Sequence, residues 1–296
     1  MRIWLLGAIS SLALAGAGFA ALVYWPIGSE PKLSAIDGDV QKGAYLARMS
    51  GCIVCHTDTE NSGKPLAGGT ELPTEFGRFY SPNLTTDATA GIGSWSIEEF
   101  AKAVRQGISP EGEPYYPSFP YLFYSGFSDQ DIADLWAAFQ TVPPVSEPSR
   151  PHDMMPPFNL RAGLKLWRGL YFKPEEYVSD PTKSAVWNRG KYIVEGPAHC
   201  GACHTPRNVL GARKTEFALS GADQLPGGGS APAITSDKLK ANDWTVSSLK
   251  YALQTGLMPD GDVFGGSMGK VVRNETAFLT EQDREAIAIY LLEGSN

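Results

Sequence analysis

Cysteine and histidine are scarce in this sequence of 296 residues, which contains only four of each. Cations are also in the minority, because 25 Lys and Arg stand against 32 Asp and Glu and leave a formal net charge of −7. A chain without a basic excess lacks the electrostatic footprint of nucleic-acid-binding proteins. The acidic excess suits docking to a protein with a positive patch, or simply aids solubility.

Alternation of apolar and polar residues, which marks half-buried strands, is also largely missing. Helical spacing and Gly/Pro-rich loops dominate instead, so we expect a helical protein with almost no sheet. The length is sufficient for two ordinary domains, and a hydrophobic content of 43% allows each of them a packed interior.

Charge is absent from residues 3–25, a stretch long enough for the ~20 residues of a bilayer-spanning helix. Residues 18–20 would pass as the cleavage site of a signal peptide, whose apolar region is usually about 7–15 residues long. The apolar stretch continues beyond that point to Tyr24 and Trp25, as in an interfacial aromatic belt. We expect residues 1–28 to be an uncleaved membrane anchor, with a cleaved signal peptide as the alternative. Either segment exports the remainder, which in a bacterium means the periplasm beside the inner membrane.

All four cysteines belong to two copies of one motif, CIVCH at residues 52–56 and CGACH at residues 200–204. Cys-x-x-Cys-His is the attachment signature of c-type haem. Two cysteines on one helical turn reach the two vinyl groups of a porphyrin, and the histidine that follows faces the iron. We therefore predict two covalently bound haem c groups. The attachment residues would be Cys52, Cys55, Cys200 and Cys203, and the proximal iron ligands His56 and His204.

Three other roles for these cysteines explain the pattern less well. A disulfide framework or a thioredoxin-like redox pair does not require a histidine after each second cysteine. A zinc site made from both pairs would have to bring the two copies together and would leave both histidines without a role.

The two motifs lie in an internal repeat. GAYLARMSGCIVCHT in the first half matches GKYIVEGPAHCGACHT in the second, which has one extra residue, and SPNLT matches APAIT. Trp95 and Trp244 then occupy equivalent places, each twelve residues before a glycine. We expect two tandem domains, residues 29–142 and 187–296, joined by a linker at residues 143–186.

Both repeats predict the same order of elements. A helix leads into the haem motif, Gly/Pro-rich loops follow, and a second helix begins at Ser96 or Thr245. A loop then carries the sixth iron ligand. The last helix begins at a Ser/Thr-x-x-Asp box, which opens at Ser128 in the first half and at Thr280 in the second.

The repeat resembles class I cytochrome c, and YSPNLT, GIGSWS and YPSFPY are similar to segments of the cytochrome subunits of membrane-bound alcohol, aldehyde and gluconate dehydrogenases. The resemblance covers roughly residues 40–295; those subunits commonly carry three haems, whereas this chain has two motifs. It implies an all-α fold of two tandem class I cytochrome c-like domains, each around one covalent haem. It also implies that the carbonyls of Pro82 and Pro232 hold the second ring nitrogen of the proximal histidines. Trp95 and Trp244 are either indole donors to a haem propionate or core residues.

The position expected for the sixth iron ligand differs between the two halves. Met268 lies twelve residues after Gly256 in a Gly-rich stretch, and a thioether opposite histidine raises the haem potential. We predict Met268 as the ligand of the second haem; Met258 is the rival, and a core position is the alternative for either. The first half has Phe119 at the equivalent position, and a benzene ring cannot ligate iron.

No Met or His lies between His56 and His152, so the first haem has no nearby replacement ligand. The linker sequence HDMM offers three candidates that could fold back over the haem, His152, Met154 and Met155. A five-coordinate haem and a local misalignment of the two repeats would each explain the phenylalanine as well. His199 directly precedes the second motif and is badly placed to ligate the same iron.

The linker contains FNLRAGLKLWRGLYF, in which one helical stripe is apolar and another is basic. The first interpretation is a strut packed between the domains. The second is a basic helix that lies on the membrane surface near the anchor. The apolar stripe is Leu160, Leu164, Trp167 and Tyr171, and the basic stripe is Arg161, Lys165 and Arg168.

Two classes of function follow. The first is an electron carrier, a membrane-tethered periplasmic dihaem cytochrome that passes electrons from a dehydrogenase to an oxidase or another respiratory acceptor. The second is a dihaem peroxidase-like enzyme in which an open first haem performs the chemistry. Peroxide chemistry needs an acid or base above the iron, whereas YYPSFPYLFY contains no His, Glu or Arg and Glu113 is the nearest carboxylate. We therefore favour the carrier, which has no catalytic residue.

Overall fold

The computed structural model describes residues 25–33 and 36–294, together with Gly16 and Gly18. The expected membrane anchor at residues 1–28 therefore lies almost wholly outside the described residues. Within the described ranges, no helix combines the length and the apolar character that a bilayer span needs.

Helices are the main regular structure of the described residues and follow the order that the repeat predicts. The helices are α1 (Val40–Met49), α2 (Cys52–Cys55), α3 (Ile97–Gln106), α4 (Tyr121–Tyr124), α5 (Asp129–Phe139), α6 (Ala162–Tyr171), α7 (Ala185–Glu195), α8 (Gly201–His204), α9 (Ser236–Ala241), α10 (Val246–Thr255), α11 (Gly266–Asn274) and α12 (Glu281–Glu293). Short 3-10 turns cover Thr215–Phe217 and Thr276–Phe278, and the strands are β1 (Glu71–Thr74), β2 (Gly77–Tyr80) and β3 (Asp153–Met154).

The first and last helices of each half cross at a glycine. A Cβ atom on Gly43 of α1 would lie 1.8 Å from the carbonyl oxygen of Asp134 in α5, so only glycine permits this approach. Gly190 of α7 meets the carbonyl of Ala286 in α12 in the same way, at 2.0 Å. The paired glycines of the repeat thus set the same helix crossing in both halves.

The Ser/Thr-x-x-Asp boxes begin the last helix of each half, as the sequence predicts. The Ser128 hydroxyl accepts a hydrogen bond from the backbone N–H of Asp131. The Asp131 carboxylate in turn accepts a hydrogen bond from the backbone N–H of Ser128. Thr280 accepts the N–H of Asp283, but there the carboxylate pairs with Arg189 at 2.8 and 2.9 Å instead. Asp283 also accepts from the hydroxyl of Tyr45 in the first half, at 2.7 Å. The second box therefore takes part in a contact between the two halves.

The expectation of an all-α protein with almost no sheet is wrong in one respect, because a three-stranded antiparallel sheet occupies the loop region of the first half. β1 and β2 form a hairpin whose register pairs Glu71 with Tyr80 and Thr74 with Gly77. β3 comes from the linker and pairs with β2. Strands this short show too little alternation to be recognised in the sequence, and the third pairs only because the linker folds back.

The linker also contacts both halves through α6. The Arg161 guanidinium donates to the carbonyl of Pro114 in the first half, at 2.8 Å. The Trp167 indole donates to the carbonyl of Leu210 in the second half, at 2.9 Å. These contacts agree with the strut interpretation of the linker.

Candidate haem sites

Each Cys-x-x-Cys-His motif forms a single helical turn next to the opening helix of its half. Gly51 precedes α2 with a left-handed backbone (φ 69°), which lets the chain turn sharply out of α1. In the second half His199 takes this place with φ 38°, a conformation uncommon for a residue with a side chain. The turn brings both cysteines of a motif together with the histidine that follows, as haem attachment requires.

Both motif histidines are held by a proline carbonyl at the same distance. Nδ1 of His56 lies 2.8 Å from the carbonyl oxygen of Pro82. Nδ1 of His204 lies 2.8 Å from the carbonyl oxygen of Pro232. A carbonyl can only accept, so Nδ1 donates and Nε2 is left as the free ligand nitrogen. This is the arrangement that the resemblance implies for both halves.

Burial is the main influence on the pKa values of the motif residues. Burial lowers the pKa of His56 to about 4 against the opposing Pro82 carbonyl, and burial also lowers the pKa of His204. Both imidazoles are therefore neutral near pH 7, the form in which histidine ligates a metal. Burial raises the pKa of the Cys52 and Cys55 thiols to about 12, and all four cysteines are free of disulfides.

These residues fit an iron porphyrin better than a bare metal ion. Within the described residues, no group of three or more His, Cys, Asp or Glu is arranged to hold a metal ion, so the zinc alternative lacks its cluster. Each half offers instead one neutral imidazole beside a pair of thiols. That donor set matches a haem attached through two thioethers and ligated from one side by histidine.

Met268 lies on a helix and not in the loop expected for it. Gly265 and Gly266 form the N-terminus of α11, and Met268 stands in its first turn. Its side chain is partly buried against the main hydrophobic cluster, whereas Met258 lies in a short loop outside that cluster. The sequence indicated a loop because glycine is a poor helix former, but at a helix N-terminus this cost is small.

Phe119 lies in the turn before α4, within a group of aromatic rings. Its ring centre is 5.9 Å from that of Tyr124, 6.0 Å from Tyr115 and 6.2 Å from Tyr121. The side chain is partly buried against the same hydrophobic cluster as Met268. The two counterparts therefore share a core environment and differ in chemistry.

The linker candidates for the first haem lie along the sheet. His152 contacts the rings of Phe79 and Tyr116, and its Nδ1 accepts the backbone N–H of Tyr80 at 3.2 Å. Met154 belongs to β3, and Met155 is 50% exposed. The sixth ligand of the first haem stays a prediction. Either His152, Met154 or Met155 ligates the iron, or the haem is five-coordinate.

Trp95 and Trp244 lie at equivalent places against the hydrophobic cluster. Trp244 is stacked on Phe264, with ring centres 6.3 Å apart. In the part of the chain that the structure describes, neither indole N–H donates to a protein acceptor. Both indoles thus combine a core contact with an N–H available to another group, so a propionate role stays a prediction.

The two motifs meet beside a carboxyl group that the sequence did not single out. A Cβ atom on Gly51 would lie 3.2 Å from Oε1 of Glu275 and 3.6 Å from Cε1 of His199. The residues that immediately precede Cys52 and Cys200 therefore lie close together. Glu275 is only 9% exposed, no described residue donates to its carboxylate, and burial raises its pKa to about 7. A glutamate at the end of a helix forms no motif, so only the tertiary contact reveals it.

Comparison with known proteins gives the same picture. The chain is 40% identical over 295 residues to a protein of Cereibacter sphaeroides named diheme cytochrome c-type, and the alignment covers 98% of both chains. It is 38% identical over 260 residues to the cytochrome c subunit of a quinone-dependent alcohol dehydrogenase from Gluconacetobacter polyoxogenes. It is also 38% identical over 266 residues to the gluconate 2-dehydrogenase cytochrome c subunit of Pantoea cypripedii. The alignments cover 85% and 86% of this chain but only 55% and 59% of those two subunits. No protein-family model matches the chain.

The duplicated motif, the paired histidine–proline contacts and these relatives define an electron-transfer protein of the c type. The chain belongs to the dihaem c-type cytochromes and carries two covalently bound haem c groups.

Proposed function

We propose that this cytochrome passes electrons from a periplasmic dehydrogenase to a terminal oxidase or another cytochrome. The relatives that are cytochrome subunits of alcohol and gluconate dehydrogenases support a dehydrogenase as the donor. The observation that carries the proposal is the repeated site, a neutral imidazole held by a proline carbonyl beside two thiols in each half. When bound, haem supplies a one-electron couple, and this chain holds its two attachment motifs close together.

In this proposal each half is a class I cytochrome c-like domain with its own set of site residues. The cysteines attach the haems, the motif histidines ligate the irons, and the proline carbonyls orient the imidazoles. Met268 is the sixth ligand of the second haem, supported by its partly buried place against the hydrophobic cluster. The sites would be Cys52, Cys55, His56 and Pro82 in the first half, and Cys200, Cys203, His204, Pro232 and Met268 in the second.

The proposed location is the periplasmic side of a bacterial inner membrane. The uncharged stretch at residues 3–25 supports a single N-terminal tether there. Haem attachment to Cys-x-x-Cys-His outside the cytoplasm would agree with such an export segment.

The peroxidase-like alternative has less support from the geometry. Phe119 is surrounded by Tyr115, Tyr121 and Tyr124, whose phenols are weak acids, and Glu113 is exposed to solvent. An acid or base positioned to cleave a peroxide bond is not apparent among these side chains. The aromatic rings around Phe119 would shield a haem bound there from water, which would favour outer-sphere electron transfer.

Purification in mild detergent, followed by stopped-flow mixing, tests this function. The proteins that co-purify are identified, and the oxidised cytochrome is mixed with the partner dehydrogenase and its substrate. We expect both haems to be reduced within the turnover time of the dehydrogenase. Slow reduction of the haems together with rapid, catalytic consumption of hydrogen peroxide by the reduced protein would instead establish the peroxidase.

A further inference from the structure

Helix α6 presents an apolar face to solvent. Gly163, Leu166 and Leu170 are spaced at i, i+3 and i+7 and so share one side of the helix, with Gly169 beside them. Leu166 is 58% exposed and Leu170 is 65% exposed. Nothing lies within 4 Å of where a Cβ atom on Gly163 or Gly169 would be. This outward side is neither the apolar stripe nor the basic stripe that the sequence indicated.

The three cations of α6 are directed at the protein. Arg168 is buried at 6% exposure, and its guanidinium lies against the ring of Tyr121. Arg161 donates to a carbonyl of the first half, and Nζ of Lys165 donates to the carbonyl of Trp25 at 2.9 Å. The interpretation of α6 as a helix with an exposed basic side is therefore wrong, because the cations serve internal contacts.

The exposed apolar surface extends beyond α6 in both directions. Trp25, which is 69% exposed, is held beside the helix by the contact with Lys165. The hydrogen bond from the Trp167 indole to the carbonyl of Leu210 places a loop of the second half beside the helix. In that loop Val209 is 93% exposed. Exposed apolar side chains on segments that are hydrogen-bonded to one another are a candidate interaction site. We call this group of exposed side chains the α6 face; it consists of Trp25, Leu166, Leu170, Val209 and Leu210.

We propose that the α6 face rests on a lipid bilayer, with Leu166 and Leu170 at the boundary between headgroups and acyl chains. Trp25 ends the uncharged stretch of residues 3–25, so the face adjoins the segment proposed as the tether, and the inference rests on that part of the proposed function. Interfacial helices bury an apolar side by about 5–10 Å in this way, with Trp and Lys at the boundary.

A protein partner is the less favoured occupant of this face. A redox partner attracted by the acidic chain, with its net charge of −7, would be guided by charged residues. The outward side of α6 offers only glycine and leucine to such a partner. Since α6 contacts both halves, a bilayer on this face would fix the orientation of both haem motifs relative to the membrane.

Photo-crosslinking of the full-length, haem-loaded protein tests the inference. Leu166 and Leu170 are replaced one at a time by p-benzoylphenylalanine, and Val186 serves as the control because it is a 45% exposed valine at the start of α7. The variants are reconstituted in liposomes of phosphatidylethanolamine and phosphatidylglycerol and irradiated. The mass of each protein is then measured by mass spectrometry. We expect a mass shift of one intact phospholipid at positions 166 and 170, and none at position 186.

The outcomes separate this inference from the proposed tether. Flotation of the liposomes after an alkaline carbonate wash, which removes protein bound only at the bilayer surface, reports whether the chain is anchored by an inserted segment, independently of the adducts. Lipid adducts at 166 and 170 support the inference whether or not the chain floats. Their absence overturns it, as does an equal yield at 186. The same variants are also irradiated in native membranes. A crosslink from these two positions to another polypeptide would assign the α6 face to a protein partner instead.

Discussion

The two halves of the molecule agree on the histidine side of the site and differ at the position expected for the sixth ligand. A glycine sets the helix crossing in each half, and a proline carbonyl lies 2.8 Å from Nδ1 of each motif histidine. The second half then offers Met268 from the first turn of a helix, whereas the first offers Phe119 among aromatic rings. The backbone contacts that hold the histidine belong to the fold. In the proposed site, the side chain at the sixth-ligand position can change without disturbing these contacts, and the chemistry of the iron would change with it.

The largest expected effect comes from removing one attachment site at a time. The double variants Cys52→Ala/Cys55→Ala and Cys200→Ala/Cys203→Ala should each retain one covalent haem, because each half carries a complete site. A pyridine haemochrome assay on acid-acetone-extracted protein measures the stoichiometry, with the wild type at two. Loss of both haems from either variant would show that the halves do not assemble independently.

A second expected effect concerns the potentials of the two haems. We expect the His56 haem to have the lower potential, because Phe119 offers no thioether to stabilise ferrous iron. Met268→Ala should lower the higher potential by on the order of 0.1–0.3 V, part of the roughly 0.8 V range that axial ligands span. Redox titration measures both potentials, and the thioether–iron charge-transfer band should vanish with the same substitution. If that band survives in Met268→Ala and disappears in Met258→Ala, the ligand is Met258.

A third prediction uses Glu275, which lies between the halves and belongs to neither site. Its pKa is raised from 4.5 to about 7 by burial, so the folded protein keeps a proton that the unfolded chain releases. Stability should therefore fall as pH rises through this interval, by roughly 3 kcal/mol in total. Glu275→Gln has no proton to release and should remove this dependence.

Chemical denaturation of the haem-loaded protein at a series of pH values measures the effect. Glu216→Gln is the matched control, because this glutamate is exposed. Parallel pH profiles for Glu275→Gln and the wild type would contradict the assignment.

The smallest expected effect concerns the two helix crossings, which depend on Gly43 and Gly190. A Cβ atom at Gly43 or Gly190 would overlap a backbone carbonyl, at 1.8 and 2.0 Å, so each alanine variant should lose about 1–3 kcal/mol of unfolding free energy. Gly163→Ala is the control, because nothing lies within 4 Å of its Cβ position, and it should gain about 0.5–1 kcal/mol. Denaturation followed by circular dichroism measures all three. A loss in Gly43→Ala alone would mean that the two crossings are not equivalent.

Features that depend on local spacing could be predicted from the sequence. The haem motifs, the helix order and the boxes at Ser128 and Thr280 all follow from residues a few positions apart. The proline carbonyls at Pro82 and Pro232 came from the resemblance, and the geometry agrees with it.

Features that depend on how distant segments pack could not be predicted. The linker strand β3 forms only because its partner β2 lies beside it in space. Which side of α6 faces the protein depends on the carbonyl that accepts from Arg161 and on the aromatic ring that lies against Arg168. Glu275 becomes important only because two motifs, far apart in the chain, meet beside it.

Because Gly51 lies beside His199, we expect the two haems to influence each other electrostatically. Charges interact more strongly across a buried boundary than through water, so an electron on one haem would raise the energy of adding an electron to the other. The two potentials obtained by redox titration would then describe the pair, as the pKa values of coupled acids do, and neither would be the property of one half alone. The duplication would in that case provide a store for two electrons, and the two reduction steps would be separated by mutual repulsion as well as by ligand chemistry.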